Sequence, residues 1–334
     1  MPKLKIERSL LAVGLIAAAL TALYKALDNY TVHSLIVSPD KITVAYAYFI
    51  IGAWTVVVVT LVCAPIFGRW LDPHFKGIVL GNRAMRLNAL CVGLFAAIGT
   101  FLLLWGQQYG DPAAITALTA PIMLFTGLME TFWKKTLKLR NAGLPIAVTC
   151  VGGFFAAWNE SLSIGLITFG LVFLASNLFF AVGEVVEKDG VQSLDAINFM
   201  LWRFSSLALI GTVLCLLTAW PFGYVQPVVA LMKESLASPW TLLVVTLNMV
   251  AVFFAMGFRL ALKRDHAVSV ILVVLSAQVV FSYAWTFIGD GLKPGAFGAI
   301  PDSPEVWAIR IAAVVLLICG MVMMPKPKPA LSVP

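Results

Sequence analysis

The chain has 334 residues, of which 61% are hydrophobic and only 12% charged, and its formal net charge is +7. With a mean hydropathy of +0.95, this composition excludes a water-soluble domain and indicates a polytopic membrane protein. The positive balance reads as a topology signal between apolar runs, with no nucleic-acid surface implied.

Ten runs are long enough to cross a hydrocarbon core of about 30 Å, which needs about 17 to 25 helical residues. They cover 9–26, 42–65, 84–106, 112–133, 142–158, 164–186, 194–220, 240–262, 267–288 and 306–324. Period-two strands of about ten residues are missing, so the expectation is all-α rather than a barrel. Seventeen of the 23 basic residues, from Lys3, Lys5 and Arg8 to Lys326 and Lys328, fall on one side of these runs. Lys25, Lys41, Lys233 and Lys293 fall on the other, and Arg203 and Arg310 lie within spans. Cytoplasmic loops retain Lys and Arg, so both termini are placed in the cytoplasm of an inner-membrane protein. The first run follows basic residues as a secretory signal would, but removing it would spoil the charge alternation, so it is read as a retained span. Cys63, Cys91, Cys150, Cys215 and Cys319 sit in apolar runs and read as packing residues. The tail PKPKPALSVP reads as a short extended end.

The spans carry polar residues at helical spacing. In the fourth, Thr116, Thr119, Met123, Thr126 and Glu130 form one stripe. Pro121 interrupts it and frees backbone carbonyls. The stripe fits either a packing seam or a cavity wall. Asn177, Asn248 and Gln278 are single deep amides in the sixth, eighth and ninth spans, and each is interhelical glue or a binding group. Asn177 shares a face with Glu184, Asn248 with Arg259, and Gln278 with Ser282 and Trp285. Glu130 can pair with Lys134 one turn on, and Glu130 and Glu184 are candidate gate or coupling acids. Trp105, Trp202 and Trp285 could stack on a substrate or pack, whereas Trp70, Trp133, Trp220, Trp240 and Trp307 suit an interfacial belt. Arg310 reads as an interfacial residue beside Glu305. Arg203 lies about 12 Å into its span past Asp195, at 1.5 Å per residue. A charge there requires a partner. That partner is either an internal one, such as Glu184 or carbonyls, or an anionic substrate gripped by the planar fork.

Two halves are visible. DKITVAYAYFIIGAWTV (40–56) and DAINFMLWRFSSLALIG (195–211) both open on aspartate, each at the second span of its half. DPAAITALTAPIMLFTGLMETFWKK (111–135) and HAVSVILVVLSAQVVFSYAWTFIGD (266–290) share a mid-span break. Five spans per half force the second copy to insert upside down, the plan of secondary transporters with a midplane site. The expected fold is therefore an all-α integral membrane protein of ten transmembrane helices in two inverted five-helix repeats, 1–160 and 161–324, with a cytoplasmic tail at 325–334.

The runs APIMLFTGLME and LPIAVTCVGGFFAA in the first half, with GLITFGLVFLASNLFFAVGEVVEKDGVQSLDAINFMLWRF and VWAIRIAAVVLLICGMVMM in the second, resemble the EamA-type transporters of the drug/metabolite transporter superfamily. The resemblance implies a cavity lined by the third, fourth, sixth, eighth and ninth spans, and export rather than uptake. It also makes a basic residue in the second span of a half, here Arg203, a familiar feature.

Rival functions are less well supplied. His33, His74 and His266 stand at loop positions, and no HExxH, GxSxG, metal-ligand spacing or paired in-span carboxylates occur, so no enzyme is expected. A channel would need a pore ring, normally from several subunits. The expected function is secondary active transport of a small polar or amphipathic metabolite, such as an amino acid or related carboxylate. The alternative is translocation of a lipid or lipid-linked substrate. The substrate residues expected are Arg203, Asn177, Asn248, Gln278, Thr119, Trp105 and Trp285. No cofactor or metal is indicated; the partners are the substrate and membrane lipid, with a homodimer left open.

Overall fold

The computed structural model describes residues 2–133, 139–158, 169–193, 195–264, 266, 268–297, 300 and 303–323, and among these every regular element is helical. The tail at 325–334 and Lys134 lie outside the described residues. The elements are α1 (Pro2–Tyr30), continued by a π-helical turn (Thr31–Leu35), α2 (Lys41–Leu71), α3 (Arg83–Gln107), α4 (Pro112–Leu118), α5 (Ile122–Phe132) and α6 (Leu139–Ala156). After a π-helical stretch (Phe169–Ser176) come α7 (Asn177–Ser193), α8 (Ala196–Ala219), α9 (Val225–Ala237), α10 (Pro239–Lys263), α11 (Val268–Leu275), α12 (Gln278–Leu292) and α13 (Pro304–Val322). Among the described residues, eight helical segments are long and apolar enough to cross a membrane, α4 with α5 and α11 with α12 each counting as one. The protein is an all-α, multi-pass membrane protein.

Local chemistry sets the helix starts. Asp40, Asn82, Asp111, Asp195 and Ser238 each accept a hydrogen bond from a backbone amide in the first turn of α2, α3, α4, α8 and α10. Each cap satisfies an amide that the helix leaves without a partner. Leucines, valines and tryptophans such as Trp70, Trp220 and Trp240 remain exposed on the outside, as expected where the solvent is lipid.

Four long helices, α2, α3, α8 and α10, share the largest apolar core, with Tyr48, Phe49, Phe199, Phe204 and Phe253 buried in it. Around them α1 packs along α10 and α12, α7 along α3 and α5, α2 along α8, and α6 along α13. The last pair approaches closely: a Cβ on Gly152 would stand 2.9 Å from Ala313 O, and one on Gly320 would collide with Thr149. Small residues at such a seam let backbones touch in the absence of a hydrophobic drive between helices.

Two segments differ from the sequence expectation. The first span does not stop at residue 26: the helix continues to Leu35 with Asp28, Asn29 and Thr31 buried in it. Hydropathy drops at these residues because they face protein rather than lipid. The interval between the seventh and eighth runs, where no span is expected, holds α9, a helix whose Val228 and Ser235 are buried while Val229 and Leu236 are exposed.

Candidate functional site

The site begins at a helix break. Pro121 has no amide hydrogen, so between α4 and α5 the chain turns through shorter bonds, Thr119 N to Thr116 O (3.2 Å) and Ala120 N to Ala117 O (3.0 Å). Ile122 N donates to Thr119 O, which leaves Leu118 O without its ordinary helical partner. Asn177 supplies one: its Nδ2 donates to Leu118 O at 2.8 Å and to Phe173 O at 3.0 Å, while its buried Oδ1 has no partner. A second break lies between α11 and α12, where the Ser276 hydroxyl donates back to Val273 O (2.6 Å). Gln278 follows it at the edge of the cavity.

A cavity of about 170 Å³ lies between these breaks and α1, α2, α3, α7, α8 and α10. An apolar cavity of about 150 Å³ takes benzene, so the space suits a small molecule. Its apolar wall includes Leu103, Met123, Phe180, Phe204, Met249 and Leu272. Its polar wall has two parts. On α1, Thr21, Lys25 and Asp28 recur at intervals of four and three, one face of the helix. Lys25 Nζ donates to Thr119 Oγ1 at 2.9 Å, and that hydroxyl donates in turn to Thr116 O at 2.6 Å. The Asp28 carboxylate accepts from the Tyr48 hydroxyl and, at 2.6 Å, from Asn248 Nδ2. Asn248 Nδ2 also reaches the Tyr48 hydroxyl at 2.8 Å, leaving its own buried Oδ1 without a partner.

The second part belongs to a string of buried ions where α7 and α10 end and α8 begins, of which Glu184, Arg203 and Arg259 line the cavity. Arg203 Nε donates to Glu187 Oε1 at 2.5 Å, and the other oxygen of Glu187 pairs with Lys263. Lys263 Nζ stands 2.6 Å from Glu184 Oε2, and Glu184 Oε1 pairs with Arg259. Signs alternate along it from Arg203 to Arg259, so each carboxylate is held by two cations. In a low-dielectric interior, ions persist only with such partners.

Of the residues expected to contact substrate, Arg203, Asn177, Gln278 and Thr119 line the cavity, as does Glu184. Asn248 does not line the cavity but is hydrogen-bonded to Asp28 and Tyr48, which do. Trp105 does not reach the cavity: it closes α3 and packs against Phe101, centroids 6.2 Å apart. Trp285 packs instead on the cluster of Ala26, Ala296 and Phe297. Glu130 is buried away from the cavity and accepts from Val268 N at 2.9 Å, joining the end of α5 to the start of α11. Arg310 is not interfacial: it is 1% exposed, its guanidinium 3.0 Å from Asp111 and donating to Trp158 O at 2.8 Å. The internal partner of Arg203 is Glu187, one turn beyond Glu184.

Lys25, Asp28, Tyr48, Glu187 and Lys263 were not expected in the site. A spacing of three between Glu184 and Glu187, and of four between Arg259 and Lys263, puts two acids and two bases on single faces, and that was the available signal. Lys25 looked like an outer-loop charge because the apolar run ended beside it.

Outside the spans, Asp72 ties three segments together. It accepts from Ala196 N (2.7 Å), His74 N (3.0 Å) and Arg264 (3.3 Å). Burial pushes its pKa up, but the Ala196 and His74 hydrogen bonds and the Arg264 charge outweigh burial and hold the carboxyl below the usual range. All five cysteines are free, and among the described residues no group of three or more His, Cys, Asp or Glu could hold a metal ion.

No family model and no curated protein matches the chain. A solved crystal structure of a protein is similar to it, with a TM-score of 0.54 and 17% identity over 95% of this chain and 97% of that one. At that identity the likeness is one of fold, and it extends across nearly the whole of both chains.

Proposed function

We propose that the chain is a secondary transporter of EamA type, within the drug/metabolite transporter superfamily, that carries a small polar or amphipathic metabolite by alternating access. It is read as ten spans in two inverted repeats, residues 1–160 and 161–324, in the inner membrane with both termini cytoplasmic. Export is the favoured direction, and amino acids or related carboxylates are the first substrates to try. The role is carriage rather than catalysis.

The observation that carries this reading is a cavity at the meeting point of two broken helices that occupy matching places in the halves. Breaks at Thr119–Pro121 and Ser276–Ala277 fall within about two residues of the same offset in the segments 111–135 and 266–290. The packing supports the same pairing. Exchanging α1 with α7, α2 with α8, α3 with α10, and α6 with α13 turns the contact of α1 with α10 into that of α7 with α3, and returns the pairs α2–α8 and α6–α13 to themselves. Discontinuous helices at the interface of repeats are where transporters of this plan bind substrate.

The test is a thermal-unfolding panel on detergent-purified protein with anionic, zwitterionic, cationic and neutral metabolites, followed by flux of any hit in proteoliposomes. A ligand of the folded state stabilises it by about 2.7 kcal/mol at a hundredfold excess over its Kd. A stabilising metabolite that is also transported supports the reading. Lipid scrambling in the same vesicles with no metabolite flux would replace it with lipid translocation.

A further inference from the structure

The substrate's charge can be read from the cavity, given the transport reading above. The wall and the ion string hold Lys25, Arg203, Arg259 and Lys263 against Asp28, Glu184 and Glu187, four positive groups against three negative. Glu184 and Glu187 are each shared between two cations within the string. Asp28 is held by the neutral donors Tyr48 and Asn248. The ammonium of Lys25 makes no ion pair with any described carboxylate, and its one hydrogen bond is to Thr119. An ammonium has three donors, so two remain. Arg259 lines the same cavity, and its buried Nε has no partner.

We propose that this cavity selects a molecule of net charge −1 with an apolar body, and that Lys25, with the free edge of Arg259, is the anchor for its anionic group. A buried site with one positive group in excess favours an incoming charge of −1, since a neutral or zwitterionic occupant leaves the excess uncompensated and a cation adds to it. Leu103, Met123 and Leu272 receive the apolar body. The Thr119 hydroxyl keeps Lys25 in place while the site is empty, at the break where the helix turns. Arg203, which lines the same cavity and is paired with Glu187, adds to the positive potential.

Three probes of nearly one shape test the charge: 2-hydroxy-4-methylpentanoate (−1), leucine (0) and leucinamide (+1). Affinity is measured by titration calorimetry on wild type, Lys25→Met and Lys25→Arg, with unfolding scans to confirm folding. The expected result is affinity falling from −1 to 0 to +1 by about tenfold or more per step in the wild type. Lys25→Arg keeps that order and Lys25→Met flattens it. The wild-type order stands as a test even where Lys25→Met fails to fold. Leucine or leucinamide binding as tightly as the anion overturns the proposal, and so does an unaltered order in folded Lys25→Met. If none of the three binds while a neutral or cationic metabolite is transported, the charge assignment fails and the transport reading survives. If no compound is transported at all, the transport reading itself fails.

Discussion

Arg203 and Arg310 are both buried in the helical bundle, yet their surroundings differ. Arg310 is enclosed by its own carboxylate, Asp111, by the carbonyl of Trp158, and by the rings of Trp307 and Tyr283 at 5.4 and 5.9 Å. It closes the junction of α13 with the start of α4 and the end of α6. Arg203 borders the cavity, and its carboxylate, Glu187, is shared with Lys263. A buried arginine therefore says little about binding until its partners are counted: one is matched and surrounded, the other belongs to a set with more cations than acids.

Breaking the matched pair has the largest expected effect. Asp111→Ala leaves Arg310 buried without its anion and removes the cap of α4, and should cost about 3–5 kcal/mol, read as lost folded yield and a fall in Tm. The double replacement Asp111→Leu with Arg310→Met should recover most of that loss, because removing both charges leaves none unpaired. Ligand response should be unchanged in any variant that folds.

The shared set sharpens the contrast. Glu187→Gln takes the carboxylate from Arg203 but leaves Lys263 with Glu184, so its cost should be smaller, about 3 kcal/mol, at the low end for a broken buried pair. Unlike the Arg310 variants, it should alter the ligand-induced rise in Tm, and the scan with and without ligand checks both. Thr119→Ala should be milder still, about 1 kcal/mol for one buried hydrogen bond, with Lys25 Nζ the group released.

The contrast also marks how far the sequence could be read. Pro121, the threonine stripe and the matching break near Gln278 were legible, because a missing amide hydrogen and helical periodicity are local properties. Asn177 was legible as a deep amide, but its use on the carbonyl released beside Pro121 was not, since that bond joins residues 59 apart. The ion string was hidden for the same reason. Arg259 and Lys263 lie near the end of a span and resemble a topology signal until α7 brings Glu184 and Glu187 against them. Arg310 misled because proximity to a span end implies water only when no other helix covers that end, and here Asp111 does.

The smallest effect concerns Asp72, whose ion cluster, unlike both arginine sites, lies outside the spans. Its carboxyl is held below the usual range in the folded protein, so the folded state binds a proton less readily than the unfolded chain. The stabilisation is full above the ordinary aspartate value of about 3.9 and is lost as pH falls through the lower folded value. Asp72→Asn should therefore unfold at a lower temperature than wild type at pH 6, and the gap between the two should narrow in buffers below about pH 4. A gap that stays constant across that range would mean that Asp72 contributes only as a hydrogen-bond acceptor for Ala196 and His74, a role the amide oxygen of asparagine can partly fill. A narrowing gap identifies the charge itself, facing Arg264, as what ties the end of α2 to the start of α8.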